Sequence, residues 1–61
     1  MTEQKRIAES YRLRAEELRT IADLDRHSQT YEALSKVASD YELMAQSLDA
    51  IDRTKRTLAR P

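Results

Sequence analysis

The stretch ADLDRHS, residues 22–28, lies between two long segments that both carry the apolar pattern of an α-helix. It contains neither Gly nor Pro. However, the regular spacing of apolar residues is interrupted here, and the stretch contains several side chains that can cap a helix. Asp25 is the preferred N-cap of a second helix, because its carboxylate can accept from the free N–H groups of the next turn. Ser28 is the alternative cap. The sequence therefore predicts a turn at about residues 24–27.

On both sides of this stretch, apolar residues recur at steps of one, three or four, as on one face of a helix with 3.6 residues per turn. The first series is Ile7, Ala8, Tyr11, Ala15, Leu18, Ile21 and Ala22, and the second is Tyr31, Leu34, Val37, Ala38, Tyr41, Met44, Ala45, Leu48 and Ile51. We expect helix 1 over about residues 3–23, capped by Thr2, and helix 2 over about residues 27–57. A frayed basic C-terminus completes a single domain, residues 1–61.

Composition also favours helices. Gly is absent and Pro61 is the only Pro, whereas strands joined by tight turns need such residues. The fold class predicted is all-α, an antiparallel two-helix hairpin. One continuous helix is the alternative, because nothing in residues 24–27 forces a turn. The longest apolar run is three residues, 43–45, too short for a membrane span or a signal peptide, so we expect a cytoplasmic protein.

Folding at the turn brings the two apolar series together. The expected pairs are Tyr11 with Tyr41, Leu18 with Leu34, Ala15 with Val37, and Ala8 with Met44. Leu48 and Ile51 lie beyond these pairs along helix 2. At that level helix 1 offers only the polar residues at its start. Without disulfides or a metal, a lone hairpin of this size buries too little apolar surface to be stable.

We therefore expect a homo-oligomer, most simply a dimer that forms a four-helix bundle. The residues expected at the oligomer interface are Tyr11, Leu18, Tyr31, Leu34, Tyr41, Met44, Leu48 and Ile51. Leu13 and Leu43 fall outside the apolar series. The three tyrosines lie on the series, which favours packing in a core over an exposed platform for stacking nucleic-acid bases.

No pattern of catalytic or metal-binding residues is present. His27 is the only histidine and lies in the turn, and Glu16 and Glu17 are adjacent and so point in different directions on a helix. Cysteine and Gly-rich phosphate loops are absent. We expect a protein that is not an enzyme and that has no cofactor and no metal.

The net charge is zero, with eleven basic and eleven acidic residues, but the basic residues are unevenly placed. The hairpin would gather six of them at its open end, opposite the turn: Lys5, Arg6, Arg53, Lys55, Arg56 and Arg60. Glu3, Asp49 and Asp52 lie nearby and dilute their field. The leading hypothesis is a module for protein–protein interaction or regulation, and the alternative is an RNA- or DNA-binding modulator that uses this basic open end.

One resemblance covers most of the chain. It rests on YRLRAEELRTIA at residues 11–22, VASDYELMA at residues 37–45 and IDRTK at residues 51–55. The chain resembles small helical-hairpin proteins of alphaproteobacteria that have no established activity. The resemblance implies a bacterial hairpin protein and no particular site. It departs at the turn, where such proteins show an Asp-Pro-Glu-like sequence and this chain has Asp25-Arg26-His27.

Overall fold

A computed structural model describes residues 2–59 of the chain. It contains two α-helices, α1 (Glu3–Asp23) and α2 (Gln29–Ala59), which pack against each other, and no strand occurs in the described part. The predicted hairpin is confirmed, and the alternative of one continuous helix is wrong. Measured between Cα atoms, the molecule is 54 Å long, 15 Å wide and 10 Å thick. It is thus a single layer of two helices.

The N-terminus of α1 is capped by Thr2, as the sequence predicts. Thr2 has an extended backbone, with φ −79° and ψ 163°, and its Oγ1 accepts from the Lys5 N–H at 3.2 Å. This bond satisfies one of the N–H groups that a helix start leaves without a partner. Glu3, in the first turn, places a negative charge at the positive end of the helix dipole.

The chain reverses direction without any residue of positive φ in the described range. The Leu24 N–H bonds to the Ile21 carbonyl at 3.1 Å, and the Asp25 N–H bonds to the Ala22 carbonyl at 3.1 Å. Leu24 itself keeps a right-handed helical backbone, with φ −67° and ψ −24°. Tightened turns of this kind need no glycine, which explains how a chain without glycine can form a hairpin.

Ser28, the alternative candidate in the sequence, occupies the N-cap of α2. Its Oγ accepts from the Tyr31 N–H at 3.2 Å, and α2 begins at Gln29, later than the expected start near residue 27. The Asp25 carboxylate instead accepts from the His27 N–H at 3.3 Å, inside the turn. Asp25 therefore shapes the turn, as Asp side chains do when they bond two residues ahead, and does not cap the helix.

Alanines form the centre of the contact between the helices. The buried apolar residues are at most 3% exposed and lie one heptad apart on each helix: Ala8, Ala15 and Ala22 on α1, and Ala38 and Ala45 on α2. The predicted partners of Ala15 and Ala8 were Val37 and Met44, but these are 43% and 41% exposed. That pairing is wrong, because the next residue along the helix, about 100° further round, faces α1 instead.

The tyrosine pair is confirmed. The rings of Tyr11 and Tyr41 lie with their centroids 5.5 Å apart and their planes tilted by 40°. Both side chains are half-buried beside the alanine contact. Aromatic pairs favour tilted or offset arrangements at this separation. The Tyr11–Tyr41 pair therefore lies on the side of the hairpin that carries the larger apolar side chains.

Candidate interaction surface

One broad side of the hairpin carries the large apolar side chains, and we call it the apolar face. Its residues stand one position before or three positions after a member of the inward heptad series, which is 8, 15 and 22 on α1 and 31, 38, 45 and 52 on α2, so they share a flank of each helix. They are Ile7, Tyr11, Leu18 and Ile21 on α1, and Leu34, Val37, Tyr41, Met44, Leu48 and Ile51 on α2. All remain partly open to solvent, and Ile21 and Ile51 are 52% and 47% exposed.

A groove of about 440 Å³ opens on this face between the two helices. Its lining residues are Ile7, Tyr11, Leu43, Met44, Ser47 and Leu48. Leu43, which the sequence pattern placed outside the apolar series, therefore borders the apolar face. Leu13 is not part of this lining. It borders a second depression, which shares only Ile7 with the groove and is otherwise lined by polar residues such as Glu3 and Arg6.

Seven of the eight predicted interface residues belong to the apolar face. The eighth, Tyr31, is half-buried and stands one heptad before Ala38, in the series of the buried alanines. Tyr31 thus fills the turn end of the contact between the helices, where α2 begins. The apolar spacing places these large residues on one side of the hairpin. It does not distinguish Tyr31, which lies in the series of the buried alanines, from the seven residues on the apolar face.

The opposite broad side is polar and carries two ion pairs between the helices. Arg12 donates to Asp49, and Arg19 donates to Glu42 and, at 3.4 Å, to the Ser39 hydroxyl. The two pairs are separated by one heptad on each helix. The sequence analysis predicted no ion pair between the helices, although two arginines one heptad apart on α1 and two acidic residues one heptad apart on α2 are a pattern that favours such pairs.

Asp52 closes the open end of the hairpin and is only 1% exposed. Its carboxylate accepts from the Thr2 hydroxyl and from the Arg56 guanidinium. The Thr2 hydrogen bond, helped by the Arg56 interaction and the charge of Lys5, holds the pKa of Asp52 below the ordinary value for aspartate, although burial pulls it upward. The four-residue spacing of Asp52 and Arg56 on one helix is typical of an ion pair, but this spacing does not indicate that Asp52 is buried. The signal was the heptad from Ala38 through Ala45 to Asp52.

The basic open end is less available to an anionic partner than the sequence suggests. Arg56 is bound to Asp52, and Arg6 lies 3.7 Å from Glu3. Arg53 and Lys55 are exposed on the end of α2. Arg60, the sixth member of this predicted group, lies outside the described residues.

Within residues 2–59, no group of three or more His, Cys, Asp or Glu side chains is placed to hold a metal ion. His27 is exposed in the turn. Neither α1 nor α2 combines the length and the apolar character needed to cross a bilayer. No protein family, curated protein or solved structure matches the chain. The resemblance to alphaproteobacterial hairpin proteins stays a prediction.

Proposed function

We propose that this protein is a non-enzymatic helical interaction module that works as a homodimer, two hairpins burying their apolar faces against each other in a four-helix bundle. The observation that carries the proposal is the division of its apolar residues. Alanines fill the contact within the hairpin, while the larger side chains on one broad side all keep some surface in solvent, and four of them are 41–52% exposed: Ile21, Val37, Met44 and Ile51. We place this module in the bacterial cytoplasm, following the sequence.

Energetics support burial of the apolar face. Fully burying a Leu, Ile, Val or Met side chain contributes about 1.5–3 kcal/mol, whereas an alanine offers little surface to bury. The hairpin alone thus leaves part of its available hydrophobic free energy unused, chiefly at the four side chains of the apolar face that are 41–52% exposed. Domains of this size need additional stabilisation, and this chain has no cysteine with which to form a disulfide.

The size of the surface fits a dimer. A broad side of 54 Å by 15 Å has a footprint of about 800 Å². This is the area, about 800 Å², that each partner contributes to a stable interface of standard size. The polar side offers no comparable surface, because Arg12, Arg19 and their acidic partners occupy it.

The decisive measurement is the molar mass by sedimentation equilibrium at micromolar concentration, for the wild type and two variants. We expect the wild type at twice the chain mass of 7.1 kDa. Met44→Asp should weaken dimerisation by at least about 100-fold, because it would bury an unpaired charge. Met44 is 41% exposed in the hairpin, so the charge stays hydrated in the monomer.

Leu13→Asp is the matched control, since Leu13 is also exposed but belongs neither to the apolar face nor to the lining of its groove. It should change the dissociation constant by less than about twofold. A wild-type protein that is fully helical and monomeric at about 100 µM would overturn the proposal. The alternative, RNA or DNA binding at the open end, has less support because Arg6 and Arg56 already pair with acidic side chains.

A further inference from the structure

Apolar side chains are exposed at both ends of the hairpin, and at the open end this follows from the different lengths of the two helices. α2 has 31 residues and α1 has 21, and Thr2, at the start of α1, already reaches Asp52. The segment Arg53–Ala59, which we call the overhang, continues past that level. Leu58 in the overhang is 79% exposed, and Leu24 in the turn is 82% exposed.

Building on the proposed dimer, we infer that its two hairpins run in opposite directions, so that the overhang of each one covers the turn end of the other. Leu58 then packs near Ile21 and Leu24 of the partner subunit. A second copy of this chain therefore occupies the apolar face, and the contact between each overhang and the partner's turn determines its orientation.

The heptad spacing of α2 is compatible with this orientation. Val37, Met44, Ile51 and Leu58 follow one another at heptad intervals on the outward flank, and Met44 lies at the middle of α2. A two-fold axis at the level of Met44, perpendicular to the helices, places Val37 opposite Ile51 of the partner subunit. The same axis brings Leu58 level with the partner's Thr30, at the start of α2 and therefore beside the turn.

Charge points the same way. The overhang has no acidic residue; it carries the exposed cations Arg53 and Lys55, besides Arg56, which is bound to Asp52. The turn end, residues 23–32, carries the acidic residues Asp23, Asp25 and Glu32. Arg26 is the only arginine or lysine in that segment. Opposite orientations place each basic overhang beside an acidic turn, which is the complementary arrangement that fixes register between partners.

The same orientation for both hairpins would be less favourable. Both basic overhangs would then lie at one end, where their charges repel, and no α1 would lie beside either of them. In that arrangement Leu58 could meet only the Leu58 of the other copy, and Leu24 only the other Leu24. Only opposite orientations therefore place each overhang beside a turn.

Disulfide trapping tests the orientation, because the chain has no cysteine of its own. The variant Leu24→Cys/Leu58→Cys should form a disulfide-linked dimer at least about ten times faster than Leu13→Cys/Leu58→Cys, an exposed pair that reports random collisions. The two sites of one chain lie about 40 Å apart at a rise of about 1.5 Å per residue, far beyond the reach of an internal disulfide.

The single variants Leu24→Cys and Leu58→Cys should cross-link no faster than the collision control. Rapid cross-linking of either single variant would show the same orientation for both hairpins and overturn the inference. A reduced double variant that sediments as a dimer but cross-links at the control rate would also overturn it, while leaving the proposed function intact. If both the double variant and the wild type sediment as monomers, the proposed function fails and this inference fails with it.

Discussion

At the scale of single residues, Asp52 is the clearest case of a side chain whose role depends on its surroundings. A carboxylate in the buried heptad series would be costly alone, but Thr2 and Arg56 supply its hydrogen bonds. Thr2 simultaneously caps α1 through the Lys5 N–H. One hydroxyl therefore joins the start of α1 to the far part of α2.

The lowered pKa of Asp52 predicts a pH dependence. Its folded-state pKa lies below the ordinary value of about 3.9, so its contribution to stability is present above that pH and is lost as the pH falls through the folded-state pKa. We expect Asp52→Asn to lower the free energy of unfolding at pH 7, and the gap to the wild type to close below about pH 4. Urea unfolding at pH 7, 4 and 3 measures this gap.

Asp40→Asn is the matched control for that experiment. Asp40 pairs with Lys36 at 3.4 Å on the surface, where both side chains are more than half exposed, and such pairs contribute little. Asp40→Asn should change the free energy of unfolding by less than about 0.5 kcal/mol at every pH. A gap between Asp52→Asn and the wild type that stayed constant from pH 7 to pH 3 would contradict the assigned role of Asp52.

At the scale of elements, the alanine contact and the two interhelical ion pairs determine how α1 meets α2. Alanines let the helix backbones approach closely, and the Arg12–Asp49 and Arg19–Glu42 pairs fix which flank of each helix stays polar. Because the ion pairs occupy one broad side of the hairpin, the larger apolar side chains lie on the other. The geometry of the hairpin thus creates the surface proposed for dimerisation.

Enlarging one of these alanines should disrupt the pairing of the helices. Ala15 is 2% exposed, so Ala15→Leu forces extra methyl groups into a contact without room for them. We expect a loss of about 1–3 kcal/mol in the free energy of unfolding, measured by urea titration followed by circular dichroism.

Ala33→Leu makes the same chemical change at an exposed position of α2 and serves as the control. It should shift the free energy of unfolding by less than about 0.5 kcal/mol, because leucine and alanine are both good helix formers. Equal effects of the two substitutions would show that the alanine contact is not tightly packed.

At the scale of the whole molecule, a hairpin 10 Å thick has no second layer of its own to cover an apolar face. If dimerisation supplies that layer, folding and association are linked, and stability depends on protein concentration. We expect the melting temperature of the wild type to rise between about 5 and 500 µM. Calorimetry over that range measures the effect.

Met44→Asp should melt at a temperature that changes little with concentration over the same range, since its hairpins no longer associate. Leu13→Asp should keep the wild-type dependence. A wild-type melting temperature independent of concentration would indicate that the hairpin is stable by itself, against the proposed dimer.

The sequence by itself determined the helices, the reversal of the chain and the pairing of Tyr11 with Tyr41. These follow from local spacing, capping chemistry and the antiparallel geometry of a short turn. The tertiary structure decided that Ser28 caps α2, that alanines fill the contact and that Asp52 is buried. The cap depends on where the turn ends. The alanine contact and the burial of Asp52 depend on the rotation of one helix against the other, where about 100° moves contact from Met44 to Ala45. Apolar spacing alone leaves that rotation open, because the series on each helix is wide enough to present either residue.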